Sequence, residues 1–133
     1  MTRYMLDTNV ISDLIRNPQG KAARRIAKVG EDRICTSILV AAELRYGSAK
    51  RGSMRLRKAV DELLGEIDVL PFEAPADAEY GGIRSALEAA GMPIGSNYLL
   101  IAAHARTTGS IIVTANAAEF GRIGGLKVEN WLI

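Results

Sequence analysis

The sequence predicts an α/β fold, a single domain over residues 1–133 with helices on both faces of a parallel sheet. Short apolar runs alternate with helical stretches along the whole chain, the signature of strand–helix–strand crossovers. Gly, Pro and Asn punctuate the joints between them. No repeat, low-complexity tract or long linker divides the 133 residues, which suit one domain able to bury about two-thirds of its surface.

The elements follow in order. Arg3 to Leu6, "RYML", is a short first strand, and "DTNVISDLIRN" turns helical with Val10, Ile11, Leu14 and Ile15 at helical spacing. Asn17-Pro18 and Gly20 stop that helix. "KAARRIAKVG" is a second helix ended by Gly30, and "RICTS" a second strand. Ser37 is placed to N-cap "ILVAAELRYGSAK", where Leu39, Ala42 and Tyr46 are expected to share a side with Glu43. "SMRLRKAVDELLGEI" is a fourth helix, with an apolar face of Leu56, Ala59, Val60, Leu63 and Leu64. "DVLPF" is a third strand. "APADAEYGGIRSALEAAG" is a fifth helix, expected to be weak at Gly81-Gly82. "NYLLIAAHARTTG" is a sixth, with Tyr98 at its start. "SIIVTA" is a β-branched fourth strand, "AAEFGRI" a short helix or turn, and "KVENWLI" a last strand. Right-handed crossovers would cover both sheet faces.

Composition excludes several classes. Charged residues are 24%, hydrophobic residues 48% and the net charge +2, an ordinary soluble balance. Basic residues cluster at Arg45, Lys50, Arg51, Arg55, Arg57 and Lys58, and again at Lys21, Arg24, Arg25 and Lys28. Such clusters suit phosphate contacts or a solvated helical face. One cysteine, Cys35, permits no internal disulfide. No apolar run is long enough to span a membrane, and "MTRYMLDTN" lacks the pattern of a signal peptide. A cytoplasmic location is expected.

In parallel sheets the working site lies at the carboxyl ends of the strands. Asp7 follows the first strand there, and Thr114 and Asn116 follow the fourth, with Glu119 three residues on. Glu43 sits within the apolar start of the third helix, where a buried charge needs a partner or a cation. Each has an ordinary alternative. Asp7 can cap the first helix, Arg45 or Arg84 can pair Glu43, Asn116 can serve a turn, and Glu119 can face solvent. Together they suggest an oxygen-ligand site. Without clustered His or Cys, that favours Mg²⁺ or Mn²⁺ over Zn²⁺. His104, the single histidine, is expected to be packed rather than a ligand. No GxxxxGK[ST] or GxGxxG loop occurs. A phosphate-accepting signalling domain would want paired acids after the first strand and a lysine after a late one; both are missing.

Four separated stretches, "MLDTNVISDLIR", "TSILVAAELRYGSAK", "GMPIGSNYLLIAAHA" and "IIVTANAAEFGRIGGLKVENW", resemble in order the landmarks of PIN-domain toxins of the VapC type. The resemblance implies a PIN-like α/β/α sandwich around a parallel sheet. It implies Mg²⁺- or Mn²⁺-dependent endoribonuclease activity on RNA, often tRNA. A small VapB-like antitoxin would be the partner, promoter DNA would be bound through the antitoxin, and the toxin would be a homodimer. By this resemblance the metal-binding and catalytic acids fall on Asp7 and Glu43, with Asn116 and Glu119 as further catalytic candidates. Arg45, Arg51 and Arg55 are candidates for RNA phosphate contacts.

The departure is at "IGSNYLLIAA". The family pattern "IGxxDxLIAA" places an aspartate where this chain has Tyr98. A phenol is uncharged at neutral pH, bulkier than a carboxylate, and a poor ligand for a hard ion. The expectation is a folded protein with weak metal binding and impaired cleavage. The competing expectation is a non-enzymatic module that binds RNA or antitoxin by sequestration.

Overall fold

A computed structural model describes residues 2–133. Its sheet has strands β1 (Tyr4–Leu6), β2 (Ile34–Ser37), β3 (Asp68–Leu70), β4 (Ile111–Val113) and β5 (Val128–Glu129). All neighbours are parallel, in the order β3-β2-β1-β4-β5. The helices are α1 (Thr8–Arg16), α2 (Lys21–Val29), α3 (Ile38–Arg51), α4 (Met54–Glu66), α5 (Ala76–Ala89), α6 (Ser96–Thr108) and α7 (Ala117–Phe120), with a 3-10 turn at Glu31–Arg33.

β1 is central. Leu6 is level with Thr36 on one side and Val113 on the other. The residues after these strands therefore emerge at one edge of the sheet. Asp7 extends the ladder by one bond, its N–H donating to the Val113 carbonyl at 2.9 Å. The chain order reverses between β1 and β4, so this edge also carries the topological switch point where α/β folds place ligands.

The core explains why the strands need no alternation. Met5, Leu6, Ile112, Val113, Ile34 and Cys35 are buried from both faces, packed under Val10, Ile11, Val40, Ile101 and Phe120. Helix starts are fixed by side chains. Asp7 Oδ1 accepts from the Thr8 N–H, Ser37 Oγ from Leu39, and Ser53 Oγ from Leu56, each worth about 1 kcal/mol. Gly52 at φ +63° ends α3 in the left-handed conformation that glycine adopts without strain.

The predicted sandwich is observed, and several element details differ. The buried stripe of α3 is Val40, Ala41, Leu44 and Ser48; Tyr46 is 66% exposed beside the Lys50 ammonium. Packing against α1, α4 and α6 buries that stripe and leaves Glu43, on the side it shares with Leu39, Ala42 and Tyr46, at the margin facing α1. α5 runs unbroken through Gly81-Gly82, held by α6 along its length. α6 begins at Ser96, with Gly95 as its cap, so Tyr98 is the third helical residue rather than the first. β5 stops at Glu129. Trp131 instead turns in against the Tyr4 ring and donates from Nε1 to Glu129 Oε1 at 2.9 Å.

Candidate active site

Asp7 is 2% exposed. Oδ1 accepts the Thr8 N–H at 2.8 Å; Oδ2 accepts Thr114 Oγ1 at 2.7 Å and, at the limit, Asn9 Nδ2 at 3.5 Å. Burial pushes the carboxyl pKa up, and the bonds from Thr114, Thr8 and Asn9 pull it only partly back. Asp7 is thus both helix cap and buried acid.

Glu43 comes to the same place from α3. Its pKa is raised first by burial and next by the negative charge of Asp7; the Thr8 hydroxyl acts the other way. Thr8 Oγ1 lies on that side, buried and without a hydrogen bond of good geometry. The arginines expected as possible partners are engaged elsewhere. Arg45 pairs with Asp61 at 2.5 Å, and Arg84 with Glu88 at 3.0 Å. Two carboxyls that burial makes harder to ionise, the charge of Asp7 adding to the effect on Glu43, beside an unpartnered hydroxyl and with no ion-pairing cation among the described residues, form a place where a positive ion would be stabilising.

Tyr98 is half-buried. Its ring tilts 60° against Phe120 at 5.5 Å between centroids, and its Oη accepts from Asn116 Nδ2 at 3.2 Å. The Asn116 N–H donates to Thr114 Oγ1 at 3.0 Å, and Thr114 in turn donates to Asp7. A line of hydrogen bonds therefore joins Tyr98 to Asp7 through two residues that follow β4. Asn9 Oδ1 accepts the Ala115 N–H at 3.0 Å and ties α1 to the same turn.

The remaining candidates divide. Glu119 is partly buried on α7 and makes no side-chain hydrogen bond or ion pair among the described residues. Its charge is not among those acting on Asp7 or Glu43. No group of three or more His, Cys, Asp or Glu able to share an ion occurs among the described residues. The carboxylate set is Asp7 and Glu43. Arg45 is neutralised by Asp61, whereas Arg51 and Arg55 are exposed and unpaired among the described residues.

His104 is 2% exposed and remote in role from this edge's acids. Nδ1 is 2.7 Å from Ser37 Oγ, the cap of α3, and the ring meets Phe72 edge-on. Reasoning from sequence missed Thr8, Asn9 and Phe120. The "DTN" triplet held the signal for two of them, since short polar side chains beside a strand-end acid have little else to bond.

The PIN domain family model matches residues 4–126. The tRNA(fMet)-specific endonuclease VapC of Shigella flexneri is 39% identical over 132 residues, 98% of this chain and 99% of its own. Ribonuclease VapC2 of Haemophilus influenzae is 37% identical, over 99% of this chain and 100% of its own. Among solved structures, DNA-bound VapBC from Salmonella typhimurium superposes with TM-score 0.89 at 34% identity, covering 98% of this chain and 99% of that one.

Proposed function

Since the chain belongs to the PIN domain family, among the VapC-type ribonucleases, we propose that it is the toxin of a type II toxin–antitoxin pair. In this reading it is an endoribonuclease acting on RNA, with tRNA as the substrate class, and its cleavage is impaired by Tyr98. The observation that carries the reading is the meeting of Asp7 and Glu43 at the carboxyl edge of β1, two partly desolvated acids with no ion-pair partner among the described residues.

The donor set suits a hard divalent ion. Mg²⁺ keeps much of its water and is held by one or two carboxylates together with substrate phosphates; the orphaned Thr8 hydroxyl is one further oxygen at the place. Asp7 and Glu43 would hold Mg²⁺ or Mn²⁺. When bound, the ion supplies a water of lowered pKa and positive charge against the phosphate. Thr114 fixes the Asp7 carboxylate, and Asn9 braces the turn that carries Thr114. Tyr98 stands where the family pattern has a third carboxylate. It accepts a hydrogen bond from the Asn116 side-chain amide in place of offering a negative oxygen, so the site holds the ion weakly.

The partner follows from the same premise. A VapB-like antitoxin would neutralise the toxin, with promoter DNA contacted through that antitoxin and the toxin paired as a homodimer. The hydrogen-bonded, packed setting of Tyr98 favours one second reading, a non-enzymatic module that sequesters RNA or antitoxin.

The test is Tyr98→Asp, assayed for tRNA cleavage with Mn²⁺ and with EDTA. Even an outer-shell partner of a metal site is worth about 10–100-fold. The expected gain is therefore at least roughly 100-fold with Mn²⁺ and none with EDTA. No gain over the parent would favour the sequestering module.

A further inference from the structure

A groove of about 280 Å³ leaves the site between α1, α3 and α4. Its two long walls match. Thr8 and Arg16 stand at the ends of the α1 wall, Glu43 and Arg51 at the ends of the α3 wall, each pair eight residues apart. Eight residues of helix span roughly 12 Å. The groove therefore has an acidic end at the active site and a cationic end about 12 Å away. Its floor is Leu44, Leu56 and Val60.

Both arginines are exposed, and neither makes an ion pair among the described residues. As last-turn cations they complement their helix dipoles. That role does not require two helices to deliver them to one groove. Arg45, six residues before the end of α3, is already held by Asp61.

We propose that Arg16 and Arg51 form a phosphate subsite for single-stranded RNA, gripping a phosphodiester further along the strand from the one facing Asp7 and Glu43. The subsite rests on the ribonuclease reading for its substrate class. Planar guanidiniums suit phosphate oxygens. The acidic end repels phosphate unless a cation intervenes, so the arginine end sets the register of the strand.

The test separates the two readings. Fluorescence anisotropy of a labelled, unstructured RNA oligonucleotide, in EDTA over a series of KCl concentrations, measures binding by the chain with Tyr98 in place. Each single-strand phosphate contact contributes about 0.7 to the slope of log affinity against log salt. The Arg16→Gln/Arg51→Gln variant should flatten that slope by roughly 1.4. A charge-matched Arg24→Gln/Lys28→Gln control on α2 should change it by less than half as much. In a Tyr98→Asp background the groove variant should raise KM and leave kcat unchanged, the mark of uniform binding. An unchanged slope, or an equal effect of the control, overturns the subsite. So does weakened binding of a synthetic acidic peptide with the RNA slope intact, which would give the groove to a protein partner. If Tyr98→Asp cleaves nothing, the ribonuclease reading falls while the slope still decides the subsite.

Discussion

Asn116 Nδ2 donates to Tyr98 Oη at 3.2 Å, closing a line of hydrogen bonds that runs through Thr114 to Asp7. The tyrosine is thus built into the acidic edge and not turned away from it. Its ring is seated on Phe120, which is wholly buried. A carboxylate at this position would face the same Asn116 amide and add a third negative charge beside two acids that already hold their protons unusually tightly. Tyr98 removes that repulsion and with it the charge that would attract a divalent ion.

Thr114→Val tests the support of Asp7. The substitution keeps the shape and removes the hydroxyl that bonds a 2%-exposed carboxylate. Hydrogen bonds to charged groups are worth about 1.5–3 kcal/mol. Urea unfolding at neutral pH should show a loss of that size, and NMR titration should show Asp7 holding its proton to higher pH than in the parent.

Asp7→Asn tests the cost of burying the charge. In metal-free buffer the Asp7 pKa is raised above the reference value of 3.8. Between the reference and the raised value the folded chain binds more protons than the unfolded one. Stability therefore falls as pH rises through that window and stays lower above it. Asparagine keeps the helix cap and has no such window. The variant should melt above the parent at neutral pH, with an advantage that shrinks as pH falls toward about 4. A variant that melts below the parent at neutral pH would show that Asp7 is stabilised as an anion.

His104 predicts the opposite slope. Burial lowers its pKa from 6.5, only partly offset by the Pro71 carbonyl and the Glu73 charge. Nε2 is buried without a hydrogen-bond partner of good geometry among the described residues. As pH falls below about 6.5, the unfolded chain takes up a proton that the folded chain resists, so stability is lost. His104→Gln should remove this dependence between pH 7 and 5 while lowering stability throughout, because the Ser37 cap loses its partner. Melting curves across that range check both effects.

The fold was legible because strand and helix periods alternate cleanly and the joints carry strong caps. Ser37 was identifiable before α3 because a hydroxyl ahead of an apolar helical run has few other uses. Tertiary packing hid the rest. The inward face of α3 depends on α1, α4 and α6, which its own periodicity does not encode; Tyr46, grouped with Glu43, Leu39 and Ala42 on one side, lies exposed. Gly81-Gly82 is weak helix locally, but α6 compensates along its length. At the site, Asp7 could be singled out by its place directly after the first strand, and Glu43 by its apolar surroundings. The Asp61 that occupies Arg45 sits 16 residues away on another helix, and no local pattern announces such a pair.

The most direct measurement is a Mn²⁺ titration followed by thermal shift on the parent, Tyr98→Asp, and Tyr98→Asp/Asp7→Asn. A ligand that binds only the folded state adds about 2.7 kcal/mol at one hundred times its Kd. A site at Asp7 and Glu43 with one seat taken by Tyr98 predicts a small shift for the parent, a saturable rise of several degrees for Tyr98→Asp, and loss of that rise when Asp7 is also changed. Equal shifts for all three proteins would contradict it.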